Sequence, residues 1–282
     1  MCGIFGLVQL DGAPADAGVA SAMSRIMTHR GPDDHGYHAD GSALIGMNRL
    51  SIIDLAGGHQ PLASEDRTLW LVCNGEIYNY RELRHNLRQR GRRFLTDSDS
   101  EVILQAYAEY GDDCVTRLNG MFAFALWDAP RRRMLIGRDR LGVKPLYIAR
   151  DARRIAFASE AKALLTLPGI GVAVDPHALD SYLQLGYVPA PQSMFAGIAK
   201  LPPATLLAIE DGKVTERRYW QLPHAIDRKP TEAQWIEAVR ARLETSTRMQ
   251  MVSDVPIGAF LSGGIDSSAV VAFMSRHSSQ PV

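Results

Sequence analysis

The sequence lacks the features that mark secreted, membrane and nucleic-acid-binding proteins. Its three cysteines, Cys2, Cys73 and Cys114, are an odd number at wide spacing, which excludes a disulfide framework and a zinc-ligand pattern. Lys plus Arg and Asp plus Glu both total 31, so no excess charge favours nucleic acid or an anionic membrane. The longest strongly apolar run, residues 121–127, is too short to span a bilayer, and the start has no signal-peptide pattern. We therefore expect a cytoplasmic protein that binds neither nucleic acid nor membrane.

Apolar runs separated by turn residues dominate the first part of the 282-residue chain. Between them, helical periodicity predicts helices over residues 80–90 and 101–110. Ser98 and Glu101 have the spacing of a capping box before the second of these helices. Clustered strands with helices between them are typical of a layered α+β domain. The apolar runs predict strands over residues 2–10, 43–54, 68–73, 122–128, 133–136, 146–149 and 155–158.

The pattern changes after about residue 205. A polar, proline-containing segment predicts a linker, and Thr231 then opens an amphipathic helix. An apolar stretch at 255–261 predicts a strand, which a glycine-rich turn joins to a helix at 269–276. One strand and one helix cannot bury both faces of an α/β sheet, so we infer that a larger domain continues beyond this chain. We therefore predict a first domain at 2–215, a linker at 216–230 and an incomplete second domain at 231–282.

Cys2 has an unusual chemical setting, because removal of Met1 would give it a free α-amino group beside its thiol. The thiolate is the reactive form of cysteine, and a free thiol has a pKa of about 8.5. An α-amino group with a pKa of about 7.7–8.0 is partly neutral near pH 7 and can accept the thiol proton. The alternative is that Cys2 is an incidental thiol at the start of a strand.

Polar residues at the ends of several apolar runs are candidate site residues. Arg30, in a polar loop, is suited to bind a carboxylate, and Arg49 lies at the head of an apolar strand. Asn74 and the N–H of Gly75, at a strand end, could form an oxyanion hole, and Asp99 lies in the first turn of a helix. Taken singly, Arg49 could equally form a surface salt bridge, Asn74-Gly75 a hairpin turn, and Asp99 a helix cap.

Taken together, these stretches resemble a known family. The segments MCGIFG, HRGPD, NRLSIID, NGEIYN, SDSE, RDRLGVKPLY and FASEAKAL follow in order and resemble the glutaminase domain of class II glutamine amidotransferases. The resemblance is greatest to the glutamine-hydrolysing asparagine synthetase family and covers residues 2–205 and 255–276. It implies the four-layer αββα sandwich of N-terminal-nucleophile hydrolases, followed by the first βα unit of an ATP-pyrophosphatase domain.

The resemblance also implies roles for individual residues. Cys2 would attack the side-chain amide of glutamine, and Asn74 with Gly75 would stabilise the oxyanion. Arg49 would hold the α-carboxylate of glutamine, and Asp99, helped by Glu76, its α-ammonium group. The remaining residues implied to form the glutamine pocket are Leu50, Ser51, Ile52 and Ile53.

The segment SGGIDSS at 262–268 predicts a second, anion-binding site. Its small residues expose backbone N–H groups at a helix N-terminus, and it lacks the GxxxxGK[ST] pattern of Walker-type nucleotide sites. It resembles the pyrophosphate loop of ATP pyrophosphatases, with Mg²⁺ at Asp266. The alternative is a Ser/Gly-rich turn with no ligand. The resemblance implies ATP contacts by Leu261, Ser262, Gly263, Gly264, Asp266, Ser267 and Ser268.

The resemblance implies an ATP-dependent ligase that forms asparagine from aspartate, with glutamine as the ammonia donor. Three alternatives stay open. Other class II amidotransferases share the Cys2 domain, but the SGGIDSS loop disfavours those without an ATP-pyrophosphatase domain. A related enzyme could amidate a different carboxylate, since the residues that bind the acceptor would lie beyond Val282. A non-enzymatic module with a vestigial glutaminase is disfavoured by the intact residue set. The oligomeric state is not determined, and a homodimer is one option.

Overall fold

The structure is a computed structural model that describes residues 1–224, 226 and 229–279. The chain divides into two compact units, Met1–Gln221 and Leu222–Val282. In the first unit the strands, in chain order, are β1 (Gly3–Gln9), β2 (Asp34–Asp40), β3 (Ala43–Arg49), β4 (Leu62–Ala63), β5 (Leu69–Ile77), β6 (Gly120–Asp128), β7 (Arg133–Arg138), β8 (Tyr147–Arg150), β9 (Arg154–Ala158), β10 (Ile198–Lys200), β11 (Thr205–Glu210) and β12 (Lys213–Arg218).

These strands form two antiparallel six-stranded sheets. The first sheet has the order β10-β8-β9-β1-β3-β2, and the second has the order β12-β11-β7-β6-β5-β4. The helices of the first unit are α1 (Gly18–Ile26), α2 (Tyr80–Gln89), α3 (Glu101–Tyr110), α4 (Cys114–Arg117), α5 (Ala161–Leu164) and α6 (Pro176–Leu185).

Side-chain alternation along the strands builds four layers from these elements. In β6, Ala123 and Ala125 face the other sheet, where they pack with Ile4 and Ile45, and they share this cluster with Val72 of the neighbouring strand β5. The alternate residues of β6 point the other way and pack against α2 and α3, because successive side chains of a strand point to opposite faces. Helices α1 and α5 cover the outer face of the first sheet. The predicted αββα sandwich is therefore confirmed.

Several local predictions are wrong, and each error has a physical reason. The strand predicted over 43–54 ends at Arg49, because the Arg49 guanidinium binds the carbonyl groups of the following loop. Asn74 and Gly75 lie inside β5 rather than at its end. The capping box of Ser98 and Glu101 is absent, since the Glu101 carboxylate instead accepts hydrogen bonds from the backbone at Leu95 and Thr96. Asp99 accordingly precedes α3, which begins at Glu101.

The second unit contains two helices among its described residues, α7 (Glu232–Met249) and α8 (Ile265–His277). The predicted start of α7 is confirmed, with a capping box between Thr231 and Gln234. Helix α8 begins four residues earlier than predicted, at Ile265 rather than Ala269. The strand predicted at 255–261 is wrong, because the described part of this unit has no other strand to pair with it.

No helix in the described part of the chain combines the length and apolar character needed to cross a bilayer.

Each sheet contains a cross-strand pair of a glycine and a phenylalanine. Phe5 lies opposite Gly46 in the first sheet, and Phe124 lies opposite Gly137 in the second. A Cβ atom built at Gly46 would lie 2.3 Å from the Phe5 ring, and one at Gly137 would lie 2.4 Å from the Phe124 ring. Each ring therefore fills the space that a side chain on the opposite strand would occupy, as aromatic residues do beside strand glycines.

We expect Gly46→Ala to lower the free energy of unfolding of the first unit by about 1–3 kcal/mol, because the added methyl group must displace the buried Phe5 ring. Denaturant titration of the variant would measure the change. Gly171→Ala is the control, since nothing lies within 4 Å of a Cβ atom built there. Equal midpoints for the two variants would contradict the role of the Phe5–Gly46 pair.

Candidate active site

A cavity of about 360 Å³ lies at one end of the interface between the two sheets, within the ~300–1,000 Å³ range of small-molecule pockets. The apolar contact between the sheets ends here, and polar side chains take the place of apolar ones. Cys2 is two positions from Ile4, Arg49 two positions from Met47, and Asn74 two positions from Val72. Residues two apart in an extended chain face the same side, so these polar side chains also point between the sheets. The cavity is lined by Met1, Cys2, Met47, Arg49, Leu50, Ile52, Ile53, Gln60, Cys73, Asn74, Gly75, Glu76, Ser98, Asp99, Ser100, Met121, Val143 and Lys144.

The structure thus brings together the residues that the resemblance implies for the first site, with one exception. Ser51 is not among the lining residues, and its N–H donates to the Asp33 carboxylate at 2.8 Å. The residues predicted for the second site, at 261–268, belong to the other unit.

Cys2 lies just before β1 and is held beside the end of β3 by the pairing of these strands, in which Gly3 lies opposite Asn48. Its sulfur lies 3.4 Å from the N atom and 3.5 Å from the O atom of Leu50. Burial raises the pKa of the Cys2 thiol, and the contact with Leu50 partly offsets this effect. Burial also lowers the pKa of the terminal amino group, here that of Met1. A terminal amino group at this position would therefore become neutral at a lower pH than an amino group exposed to solvent.

Arg49 ends β3 with its side chain buried. Its guanidinium donates to the carbonyl oxygens of Ile53 at 2.9 Å, Asp54 at 2.7 Å and Leu55 at 3.3 Å. These bonds fold residues 50–55 around the cavity. Carbonyl groups do not neutralise a cation, and among the described residues no carboxylate forms an ion pair with Arg49. The cavity therefore has a buried positive charge that an anionic ligand group could pair with.

Asn74 and Gly75 present hydrogen-bond donors to the cavity. The Asn74 side chain is almost fully buried, and within the described structure its Nδ2 atom has no hydrogen-bond partner. A buried donor without an acceptor is costly, so it is a candidate to bind a ligand oxygen. Gly75 lies opposite Phe122, whose backbone N–H and C=O groups bond to Asp139 on the far side of β6.

Because strand pairs alternate between bonded and non-bonded, the N–H of Gly75 points away from β6. The N–H of Gly75 therefore points to the same side of β5 as the N–H of Cys73, which donates to Gln60 Oε1 at 2.7 Å. Gly75 is also required sterically, since a Cβ atom there would lie 2.2 Å from the Met121 carbonyl oxygen. Asn74 and Gly75 therefore form a pair of adjacent donors at the cavity.

Asp99 contributes a buried carboxyl group on the segment before α3. Its Oδ2 atom accepts from the N–H of Ile77 at 2.7 Å. Burial raises the pKa of Asp99 to about 6; the Ile77 hydrogen bond works against this shift and the charge of Glu76 adds to it. Arg84 holds the segment in place by donating to the carbonyl oxygens of Thr96 and Ser98. A cationic ligand group beside Asp99 would therefore stabilise its ionised form.

The residue-by-residue assignment missed Lys144, which belongs to the RDRLGVKPLY segment. It is buried and lines the cavity. Burial raises the pKa of both Glu76 and Cys2, and the positive charge of Lys144 partly offsets this effect. The Asp139 carboxylate accepts from the N–H groups of Leu141, Val143 and Lys144. The signal available in the sequence was the position of Lys144 within a segment that already carried the family resemblance.

The second predicted site forms a turn and the start of α8. Gly263 has φ +80°, a conformation that favours glycine, and Gly264 precedes the helix. Ser262 and Ser267 place their hydroxyl oxygens 3.1 Å apart, and Asp266 lies in the first helical turn with Ser267 and Ser268. Leu261 is exposed. The described residues hold no group of three or more His, Cys, Asp or Glu side chains that could bind a metal ion.

We expect iodoacetamide to modify Cys2 in the native protein and to leave Cys73 and Cys114 unmodified. Cys2 is partly exposed in the cavity, whereas the other two thiols are buried and burial raises the pKa of both. The rate at Cys2 should rise with pH past the usual thiol range, because its own pKa is raised. Mass spectrometry of the peptides measures each site, with denatured protein as the control. Native labelling of Cys73 at the Cys2 rate would contradict this picture.

Two protein families match parts of this chain. Residues 1–220 match the family described as "Glutamine amidotransferase domain", and residues 238–282 match "Asparagine synthase". Asparagine synthetase [glutamine-hydrolyzing] 1 of Bacillus subtilis is 38% identical over 279 residues, which are 96% of this chain and 43% of the relative. Asparagine synthetase B [glutamine-hydrolyzing] of Escherichia coli is 36% identical over 286 residues, 100% of this chain and 46% of the relative. The chain thus spans less than half the length of these relatives.

Among solved structures, the glutamine phosphoribosylpyrophosphate amidotransferase of Bacillus subtilis is similar in fold. The match has a TM-score of 0.57 and 18% identity, and it covers 98% of this chain and 64% of the other. At that identity the likeness concerns the fold alone, and it agrees with the sandwich described above. Since the family match extends over residues 1–220, most of the chain, this protein belongs to the glutamine amidotransferase domain family.

Proposed function

We propose that the first unit is a glutaminase, which releases ammonia from glutamine at Cys2. The observation that carries the proposal is the cavity itself, where the Cys2 thiol, the Asn74 amide and the opposite charges of Arg49 and Asp99 meet. The Nδ2 atom of that amide has no hydrogen-bond partner among the described residues. A free amino acid with an amide side chain offers a carboxylate, an ammonium group and a carbonyl oxygen, which match these groups. Hydrolysis of such an amide needs a nucleophile and an oxyanion site.

Arg49 would bind the α-carboxylate of glutamine, since a guanidinium forms paired hydrogen bonds with a carboxylate. Asp99, helped by Glu76, would bind the α-ammonium group. Backbone groups of Leu50, Ile52 and Ile53, in the loop folded by Arg49, would complete the pocket, as would those of Gly75. The two charges then orient the side-chain amide toward Cys2.

After removal of Met1, the neutral amino group of Cys2 would accept the thiol proton as sulfur attacks the amide carbon. Asn74 Nδ2 and the Gly75 N–H would donate to the oxyanion of the tetrahedral intermediate. The amino group would return its proton to the leaving nitrogen, the carbon–nitrogen bond would break, and ammonia would leave a γ-glutamyl thioester. Water would then cleave the thioester to give glutamate and the free thiol.

We expect the 282-residue chain to hydrolyse glutamine without forming asparagine, and Cys2→Ser to abolish the activity. Asn74→Ala should lower kcat by about 10²–10³-fold with a much smaller change in KM, because the lost donor acts mainly on the oxyanion. Glutamate and ammonia release would be measured on purified protein with an intact mature terminus. Equal activity of wild type and Cys2→Ala would refute the mechanism and favour a non-enzymatic module.

We expect KM for glutamine to rise about tenfold for each pH unit below about 6 and to be flat above it. The pKa of Asp99 is raised to about 6, so the carboxyl is neutral below that pH and loses its attraction for the ammonium group. Asp99→Asn should have a high KM at pH 7 that no longer depends on pH in this range. An unchanged pH profile in that variant would contradict the role of Asp99.

For the whole protein we propose glutamine-dependent synthesis of asparagine. ATP, with Mg²⁺, would convert aspartate to β-aspartyl-AMP with release of pyrophosphate, and ammonia from the first unit would displace AMP. The match of residues 238–282 to the asparagine synthase family and the names of the relatives support this proposal over amidation of a different carboxylate. The turn at 262–264 and the start of α8 would bind the phosphates through backbone N–H groups and the serine hydroxyls. Asp266 would hold Mg²⁺.

The same proposal assigns residues 2–215 to the glutaminase domain, 216–230 to a linker and 231–282 to the start of the synthetase domain. Strand β12 extends into the first part of the linker segment, to Arg218. A cytoplasmic location is a further part of the proposal, and a homodimer is one option for its assembly.

A further inference from the structure

The carboxylate of Glu160 joins the segments HRGPD and FASEAKAL, to which the proposed reaction assigns no role. Its Oε1 atom accepts from Arg30 Nη1 at 3.0 Å and lies 2.9 Å from His29 Nε2. Its Oε2 atom lies 3.0 Å from Lys162 Nζ. These basic groups overcome the effect of burial and hold the pKa of Glu160 at about 2. Glu160 is therefore ionised throughout the neutral range.

Arg30 extends this contact to the nucleophile. Its Nε donates to the carbonyl oxygen of Cys2 at 2.8 Å. The side chain of Arg30 is buried, and a Cβ atom at Gly3 would lie 3.2 Å from its Cδ. The small residue at position 3 thus leaves room for Arg30 to run along the chain and reach the Cys2 peptide.

Ile4, the second residue of β1, is hydrogen-bonded to Ser159 of the same FASEAKAL segment. The N–H of Ile4 donates to Ser159 Oγ at 3.0 Å, and the N–H of Ser159 donates to the Ile4 carbonyl oxygen at 2.8 Å. Ser159 therefore fixes the start of β1 directly. Glu160, the next residue, acts on Cys2 through Arg30.

A terminal residue needs such contacts more than an internal one, because chain ends are poorly ordered unless they are tied down. Once Met1 is removed, Cys2 is attached by a single peptide bond. The hydrogen bond from Arg30 then holds the carbonyl group of Cys2, and the contact with the N–H of Leu50 holds its sulfur. Loss of the first would leave the amino group and the thiol free to turn away from the cavity.

We propose that Glu160 is a positioning residue for the nucleophile: it orients the buried Arg30, which holds the Cys2 peptide so that the thiol and the amino group face the cavity. This inference rests on the proposed glutaminase function. Glu160 does not line the cavity, so it would not contact a substrate bound there. Its loss should therefore slow the chemical step while substrate binding by Arg49 and Asp99 is retained.

The test compares glutamine hydrolysis by the 282-residue chain and its variant Glu160→Gln. We expect kcat to fall at least tenfold with KM within about threefold of wild type, since misplacement of a reacting group lowers the rate. Reaction of Cys2 with the glutamine-like diazoketone 6-diazo-5-oxo-L-norleucine should slow in parallel. The rate with iodoacetamide, which needs no orientation, should stay within about threefold of wild type. Lys162→Gln, which removes a different partner of Glu160, is the matched control and should retain wild-type kcat.

A double-mutant cycle with Arg30→Lys tests whether the two residues act in series. In series, the double variant should be no slower than the slower single variant. Independent multiplication of the two effects, or wild-type kcat in Glu160→Gln, would overturn the proposal. Should Glu160→Gln fail to fold, Glu160→Asp keeps the charge with a shorter reach, and wild-type kcat in that variant would overturn it equally. A wild-type chain that hydrolyses no glutamine would refute the proposed function instead, which separates the two failures.

Discussion

The apolar packing of two sheets against each other is the contact on which the site depends. Ile4, Met47 and Val72 belong to this interface. Two positions along the chain from these residues, and on the same face, lie Cys2 just before β1, Arg49 at the end of β3 and Asn74 in β5. Because the side-chain period of a strand is two, the register that buries the apolar residues also turns these polar ones into the cavity. A one-residue slip of any strand would remove its functional residue along with its share of the core.

The cavity is electrostatically incomplete without a ligand. Arg49 is buried against neutral carbonyl groups, Asp99 has a pKa raised by burial, and the amide of Asn74 has no acceptor among the described residues. Each of these groups is held by the protein in a state that a suitable ligand would improve. The stability of the sandwich, which comes from its three apolar clusters, offsets these unfavourable arrangements. Complementarity to a zwitterionic amide is thus built into the fold.

Prediction succeeded where local sequence carries the physical cause. The strand at β1 and the helix at α3 have clear apolar patterns, and the predicted start of α7 at Thr231 depends on local hydrogen bonds with Gln234. It failed where a distant or non-local group decides the conformation. Residues 50–54 contain an apolar run that favours a strand, yet the Arg49 side chain folds them into a loop. The segment 255–261 has the composition of a strand and no neighbouring strand among the described residues.

The sequence by itself determined the family, the layered fold class and the chemical types of the residues at the site, because residue types and spacing along the chain are properties of the sequence. Only the tertiary structure decided which polar groups share one cavity and which donor lacks a partner. It also decided that Glu160, 130 residues from Arg30, is the carboxylate that this arginine binds. Such facts depend on the pairing of strands far apart in the chain, and their register is set by burial of the whole interface rather than by any local segment.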